Sequence, residues 1–288
     1  MNNKQSTKKL LADQDNSNIM SLELKPQPNP KHPKQHQWRI CGNYEYLVKS
    51  CTRHNRDGST SYIPCECVTN LNQNNHKDEL RFNEIIAMTE LHFKDLHDPE
   101  LISGNKDFLD KFSDGDKFDH EIIGWAKYWS DILTPKEPIN LNLIKAVIAS
   151  ESTFDEKSVY NDNPINKKHL KSNPRGLMQI RADTRKFLAM TKELAEHLVV
   201  LTTAEELLHG SANICAGIRW LFRKRDLIDT SELTRPVTWI DAVARYKAQP
   251  ICDKLSDYKF YDEKKSKKKS PMRLLWEKYH MLTGGDPW

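Results

Sequence analysis

Residues 141–151 read LNLIKAVIASE, and the run GLMQI follows at residues 176–180. The first stretch is apolar at helical spacing and ends on an acid, Glu151. The second is a glycine turn that carries a methionine and a glutamine. A carboxylic acid held against an apolar wall and a nearby amide that orients the sugar are the minimum groups needed to cleave a glycosidic bond. The two segments therefore predict a glycan-cleaving site on a helical scaffold.

Four short motifs occur in the order found in one enzyme family. They are ASESTF at residues 149–154, GLMQI at 176–180, Asn213-Ile214 with Gly217, and ARYKA at 244–248. Together they resemble the catalytic domain of soluble lytic transglycosylases, which has the goose-type lysozyme fold. The resemblance covers residues 139–255. It implies a mainly α protein with a lysozyme-like helical catalytic domain. A small cysteine-bearing N-terminal segment and a helical linker region accompany that domain.

The acid at position 151 has a defined role in this resemblance. Glu151 is expected to donate a proton to the bond between N-acetylmuramic acid and N-acetylglucosamine. It then acts as base on the muramoyl 6-hydroxyl, which closes a 1,6-anhydro ring without water. The residues support a protonated acid in two further ways. The negative end of the helix dipole lies at the predicted C-terminus and disfavours a negative charge on Glu151. The expected neighbours Met178 and Tyr246 exclude water, which favours the neutral form of this carboxyl group.

Six residues are predicted to bind substrate: Ser152, Gly176, Met178, Gln179, Tyr246 and Lys247. Gln179 matches the glutamine that contacts substrate in the family, and its amide can donate and accept hydrogen bonds. Met178 is expected to form a pocket wall, and Gly176 a turn or a close approach of backbone to glycan. Ser152 is expected to hold the acid. The Tyr246 hydroxyl is expected to bond Glu151 or the reaction intermediate.

The sequence departs from the family at two places. The family motif is Tyr-Asn-Ala-Gly, but Lys247 replaces its asparagine and Gln249 its glycine. A lysine beside the cleft either contacts the muramoyl carboxylate or the stem peptide, or it points to solvent. The stretch 160–174 is longer than the family's link, and forms either a lid over the glycan or a polar loop.

Other carboxylates permit a hydrolytic alternative. Asp155, Glu156, Asp162 and Asp183 are the candidates. A second carboxylate across the cleft from Glu151 would activate water and make the enzyme a muramidase. Positions on surface loops are the simpler interpretation of all four residues.

The chain divides into four predicted parts: a flexible arm at 1–38, an accessory region at 39–135, the catalytic domain at 136–260, and a basic linker with a terminal helix at 261–288. The accessory region is predicted to hold short strands at 44–48 and 61–63 and helices at 78–97 and 117–133. Asn140 is predicted to cap the helix that delivers Glu151. A capping box at 203–206 predicts a long helix to about Arg225, and a further helix is predicted at 237–247.

The cysteines leave three states open. They lie at 41, 51, 65, 67, 215 and 252. The four N-terminal cysteines permit a zinc site, disulfides or free thiols. The Cys-x-Cys spacing of Cys65 and Cys67 does not match the usual two-residue spacing of zinc ribbons. Cys215 is expected to pack in the core, and Cys252 to pair with it or stay free. We predict no metal site and no cofactor.

Composition limits the partners. The 288 residues carry a net charge of +4, with 38% hydrophobic and 29% charged residues. This net positive charge is too small to indicate nucleic-acid binding. No stretch has the 18 apolar residues of a membrane span. The N-terminus lacks a secretory signal pattern. We therefore expect a protein made in the cytoplasm that acts in the periplasm of a target cell, as a secreted antibacterial effector and toxin, or at the wall as a phage lysin.

The expected partners are peptidoglycan glycan strands, together with an immunity protein or a secretion-system component. The rival hypothesis is a non-catalytic module that binds the wall or the secretion apparatus on a retired glycosidase fold. The intact Glu151 argues against this rival.

Overall fold

The computed structural model describes residues 38–39, 45–48, 51–54, 60–63, 66–69, 79–101, 104–160, 173–231, 233–260 and 269–287. The predicted arm lies outside these ranges except for its last residue. The Trp38 indole Nε1 donates to Asp131 Oδ2 at 3.0 Å, and its ring meets the edge of the Phe93 ring at 5.9 Å between centroids. Trp38 therefore belongs to the folded protein and not to the arm.

Within the described residues, strands form three small pairs. The first four are β1 (Glu45–Val48), β2 (Cys51–His54), β3 (Thr60–Ile63) and β4 (Glu66–Thr69). β1 pairs antiparallel with β4, and β2 pairs antiparallel with β3. A third pair, β5 (Glu79–Arg81) with β6 (Leu198–Val200), is parallel. The predicted strands at 44–48 and 61–63 are confirmed as β1 and β3, whereas the other four strands were not predicted.

Helices make up most of the described chain, which confirms the mainly α prediction. They are α1 (Phe82–Met88), α2 (Lys106–Lys111), α3 (Asp119–Leu133), α4 (Leu141–Glu151), α5 (Ala182–Leu188), α6 (Thr191–Leu194), α7 (Gly210–Asp226), α8 (Trp239–Tyr246), α9 (Asp257–Phe260) and α10 (Pro271–Thr283). A π-helix (Thr89–Phe93) continues α1, and a 3-10 helix (Glu205–Leu208) precedes α7. No helix in the described ranges has the length and apolarity that a membrane crossing requires.

Two predicted helices are wrong in their bounds. The helix predicted at 78–97 begins later, because residues 79–81 form β5 against a strand far along the chain. The helix predicted from Thr203 is broken at His209, whose backbone is extended at φ −97° and ψ 121°. The capping contact does form, since the Glu206 amide donates to Thr203 Oγ1 at 3.3 Å. It starts only the 3-10 turn, and Asn213, just past the break, donates through Nδ2 to the Leu207 carbonyl at 2.8 Å.

The core is built around α4. Residues 141–149 of this helix are all buried. α10 and α3 pack against it, and α3 also packs on α7, which packs on α8. The α3 indoles fix the contact with α7, since Trp125 Nε1 donates to Ser211 Oγ at 2.7 Å and Trp129 Nε1 to the Cys215 carbonyl at 3.0 Å. A buried polar seam therefore sets the register between these two helices.

Local capping chemistry sets the ends of the helices that meet in this core. The predicted Asn140 cap is confirmed, because its Oδ1 accepts from the Leu143 amide at 3.0 Å. Ser270 caps α10 by accepting from the Arg273 amide at 3.1 Å, ahead of Pro271 in the first turn. Gly284 ends α10 in the left-handed conformation at φ 74°.

The structure gives the state of three cysteines. Cys67 is disulfide-bonded. Cys215 and Cys252 are free thiols, so the expected alternative in which they pair is wrong. Burial raises the pKa of the Cys215 thiol well above its usual range, and its side chain faces Trp129 of α3. Cys215 is a core residue, as predicted.

A buried lysine ties α4 to the start of α3. The Lys145 side chain is fully buried, and its ammonium contacts the carboxylates of Asp116 and Asp119. Burial raises the pKa of Asp119 to about 6, against the opposing effect of the Lys145 ammonium. In the unfolded chain the same carboxyl titrates near a pKa of about 3.9. Between these two values the folded protein holds a proton that the unfolded chain has released.

We therefore expect Asp119 to make the protein less stable as the pH rises from about 4 to about 6. The variant Asp119→Asn cannot ionise, so its free energy of unfolding relative to wild type should increase over this window and then level off. Urea unfolding at several pH values measures this difference. The exposed Asp110→Asn variant is the control, and an equal pH dependence in both variants would contradict the assignment.

Candidate active site

Glu151 is the last residue of α4, and its position is fixed by the buried turns before it. Its side chain is 22% exposed, whereas the preceding helix faces the core. The chain then reverses through Thr153 and Phe154, which have φ values of 55° and 66°. Phe154 is buried against the rings of Phe108 and Phe112. This aromatic anchor holds the strained reversal, so that the helix end and its acid stay in place.

The glycine-rich segment forms a closed turn. Arg175 and Ile180 exchange two backbone hydrogen bonds of 3.0 and 3.1 Å across the turn. Gly176 has a φ of 72°, and its amide donates to the Ser158 carbonyl at 2.8 Å. A Cβ at this position would lie 2.2 Å from the Leu207 carbonyl oxygen and 2.3 Å from Asn213 Nδ2. Glycine is therefore required both by the left-handed backbone and by the close approach to the start of α7.

Asn213 pins this turn to α7. It is fully buried, and its Oδ1 accepts from the Met178 amide at 2.7 Å. Its Nδ2 donates to the carbonyls of Arg175 at 2.9 Å and Leu207 at 2.8 Å. Two hydrogen bonds from this buried amide fix the loop that presents Gln179, and the third ties the amide to the 3-10 helix at Leu207. The sequence singled out Asn213 as a motif residue without giving it this function.

Gln179 lies at the tip of the turn with a φ of 50°. Its Nε2 donates to the Gly176 carbonyl at 2.8 Å. Its Oε1 is buried and has no hydrogen-bond partner within the described residues. Since the amide nitrogen is already used, the oxygen is the group that remains to accept a hydrogen bond.

Tyr246 joins the same turn to α8. Its hydroxyl donates to the Met178 carbonyl, and not to Glu151 as one of the two expectations had it. Burial, and then the negative charge of Glu151, raise the pKa of this phenol well above its usual range. Tyr246 is therefore a neutral positioning residue near the acid.

Lys247 contacts the acid directly. Its Nζ donates to Glu151 Oε1 and, at 3.0 Å, to Ser150 Oγ. The lysine side chain is only 4% exposed. Of the two orientations that the sequence left open, the one that points to solvent is wrong.

Three of the predicted substrate contacts lie below the surface. Met178 is fully buried, and a Cβ at Gly217 would lie 2.2 Å from its Sδ. Ser152 is buried and donates to the Ile148 carbonyl at 3.3 Å. Gly176 is buried against α7. Met178, Ser152 and Gly176 therefore support the site by packing.

The alternative carboxylates have structural partners where they are described. Asp155 Oδ1 accepts from the Lys157 amide at 2.9 Å in a tight turn. Glu156 Oε2 accepts from the Gly210 amide at 3.3 Å at the start of α7, where the helix dipole favours an anion. Asp183 lies in the first turn of α5, and Asp162 falls outside the described residues, as does most of the stretch 160–174. Within the described ranges, no group of three or more His, Cys, Asp or Glu residues is placed to hold a metal ion.

An acid at the end of a buried helix, beside a glycine turn that presents an amide, defines a helical glycosidase-like site. Residues 131–269 match the family described as Transglycosylase SLT domain. This part of the chain is therefore a lysozyme-like lytic transglycosylase catalytic domain, as the resemblance implied. No curated protein and no solved structure matches the chain. The SLT domain supports peptidoglycan lytic transglycosylase activity.

Two glycines with the same backbone conformation provide a matched test of the turn. Gly176 and Gly284 have φ values of 72° and 74°, but a Cβ at Gly284 would meet no atom within 4 Å. We expect Gly284→Ala to cost about 1–2 kcal/mol, from backbone conformation alone. Gly176→Ala should cost more than about 3 kcal/mol, because its methyl also collides with the Leu207 carbonyl. Denaturant unfolding of both variants measures the difference, and equal losses would contradict the packing role of Gly176.

Proposed function

We propose that the protein cleaves the β-1,4 bond between N-acetylmuramic acid and N-acetylglucosamine, and releases 1,6-anhydro-muramoyl products. The observation that carries this proposal is the placement of Glu151. It is the partly exposed end of a buried helix within the SLT domain. An acid held in this way can meet a polymer from outside while its backbone stays fixed.

The proposed reaction needs one carboxyl group in two successive roles. Protonated Glu151 first gives its proton to the glycosidic oxygen, and the bond to the muramoyl C1 breaks. The resulting carboxylate then takes the proton of the muramoyl 6-hydroxyl as that oxygen bonds to C1. The acid is regenerated, the ring closes and no water is consumed. Tyr246 and Asn213 act only by holding the turn beside the acid.

Gln179 is the residue best prepared to orient the sugar. Its Oε1 is an acceptor with no partner among the described residues, and a side-chain rotation that exposes it would let it accept from an N–H donor such as the acetamido group that both sugars carry. Asn213 holds the backbone of the turn, so only the side chain has to move. We assign Gln179 to substrate binding on this ground.

A single-carboxylate reaction fits the neighbouring acids better than hydrolysis does. Asp155 closes a turn and Glu156 caps α7. Each therefore has a structural function that does not require it to activate water. Reducing-end products would show that water, and not the muramoyl 6-hydroxyl, attacks C1.

We expect Glu151→Gln to lower the release of muropeptides from purified sacculi by at least about 100-fold, because an amide cannot transfer the proton. Mass analysis of wild-type products should find anhydro-muropeptides. The variants Asp155→Asn and Glu156→Gln are matched carboxylate-to-amide controls and should stay within about tenfold of wild type.

Three results would count against the proposal. Reducing-end muropeptides from the wild type would make the enzyme a muramidase. Loss of activity in Asp155→Asn equal to that in Glu151→Gln would point to a second catalytic carboxylate. Tight binding to sacculi without any release by the wild type would favour a non-catalytic wall-binding module.

We further propose that the protein acts in the periplasm of a target cell, as an antibacterial effector or a phage lysin. Peptidoglycan lies outside the cytoplasm, and the disulfide at Cys67 suits an oxidising compartment. An immunity protein or a secretion-system component is the partner that an effector would require.

Expression of the full chain in bacteria provides the test. With a periplasmic leader added, the wild type should lyse the cells, whereas Glu151→Gln should not. Without the leader, neither protein should lyse them. Equal lysis with and without the leader would contradict the proposed site of action.

A further inference from the structure

The proposed acid, Glu151, is in direct contact with the ammonium group of Lys247. Lys247 Nζ donates to Glu151 Oε1 and to Ser150 Oγ. The lysine side chain is 4% exposed and the glutamate side chain 22% exposed. The pair is therefore shielded from solvent on the lysine side and open on the glutamate side.

This contact opposes the first step of the reaction. An ammonium ion beside a carboxyl group favours its ionised form. The lytic transglycosylase motif has asparagine at this position, a neutral amide that does not favour either form by charge. A general acid must carry a proton, so the ammonium has to leave Glu151 or lose its own proton before the glycosidic oxygen is protonated.

The first route, departure of the ammonium, requires a new anionic partner for it. If Glu151 took up a proton while Lys247 stayed in place, the ammonium would lose its anion in a nearly buried position, which is unfavourable. Ser150 offers only a neutral oxygen. Tyr246 cannot supply a negative charge, because burial raises the pKa of its phenol and its proton is donated to Met178. An anion from outside can restore the balance, and muramoyl glycans carry carboxylates.

The two side chains differ in length, and it is the backbone of Glu151 that the surrounding structure fixes. Glu151 ends a buried helix and is held by the reversal at Thr153 and Phe154. Lys247 is the residue after α8, and its four-carbon stem allows the ammonium to turn outward by rotation about single bonds. Lys247 is therefore the partner that moves.

We propose that Lys247 exchanges partners when the glycan binds. A carboxylate of the substrate takes over the ammonium, and Glu151, once released, takes up a proton from solvent and acts as the general acid. The enzyme thereby selects strands that carry a carboxylate near the scissile bond. This inference rests on the proposed function and names its substrate class, whose carboxylate comes from the muramoyl lactyl group or from the stem peptide.

Three substrates distinguish the lactyl carboxylate from the stem-peptide carboxylates as the partner of Lys247. Peptide-bearing strands have stem carboxylates but an amidated lactyl group. Peptide-free strands have a free lactyl carboxylate. Peptide-free strands converted to lactyl methylamides have neither. We expect wild-type kcat/KM to be at least about tenfold higher on one or both carboxylate substrates than on the methylamide, as one charged hydrogen bond would give. The preferred substrate identifies the source.

The variants Lys247→Asn and Lys247→Gln should change kcat/KM on the preferred carboxylate substrate and kcat/KM on the methylamide in opposite directions. Removal of the ammonium should lower kcat/KM on the preferred carboxylate substrate and raise it on the methylamide, so that the ratio falls to about one. A residue that only supports the fold would lower both rates together. Unfolding midpoints of both variants identify any that fail to fold, and one folded variant is enough for the comparison.

The inference and the proposed function fail in different ways. If wild type and variants cleave all three substrates in the same ratios, or if a variant loses every rate in proportion, the exchange is overturned and the proposed function stands. If the folded wild type cleaves none of the three and releases nothing from sacculi, the proposed function is overturned, and the exchange with it.

Discussion

The burial of α4 is the constraint on which the site depends. Residues 141–149 are enclosed by α3 and α10, and Lys145 locks the helix to Asp116 and Asp119. α10 begins at Pro271, beyond the SLT domain match at 131–269, and most of α3 precedes that match. Helices from outside the matched family region therefore help to position the acid, and the flanking segments are part of the catalytic scaffold.

A second constraint assembles the other half of the site. The turn at 175–180 has little structure of its own beyond three backbone hydrogen bonds, the pair between Arg175 and Ile180 and the one from Gln179 to Gly176. Asn213 ties it to α7 and Tyr246 ties it to α8. Because Lys247 directly follows Tyr246, the same anchor that orders the turn also brings the ammonium to Glu151. Displacement of the turn would therefore disturb the amide at Gln179 and the cation together.

Features that depend on local signals could be predicted from the sequence. The two ends of α4, at Asn140 and Glu151, are examples, because a cap and an apolar period act within a few residues. Features that depend on distant contacts could not be predicted in this way. The β5–β6 pair joins residues 79–81 to 198–200, and the break at His209 lies where Asn213 bonds back to Leu207. The contact of Lys247 with Glu151 spans 96 positions, so residue types alone left its direction open.

The charge of Lys247 affects the reaction at more than its first step. After Glu151 has given its proton to the leaving oxygen, its carboxylate must act as base on the muramoyl 6-hydroxyl. An ammonium that returned at that moment would pair with the base and slow ring closure. A substrate carboxylate that retains Lys247 through both steps avoids this competition. When the product leaves, the ammonium loses that partner, returns to Glu151 and displaces its proton to solvent, which restores the resting pair. Substrate charge, acid protonation and the reset of the site are then three consequences of one lysine whose ammonium pairs with the acid at rest and with the substrate carboxylate during the reaction.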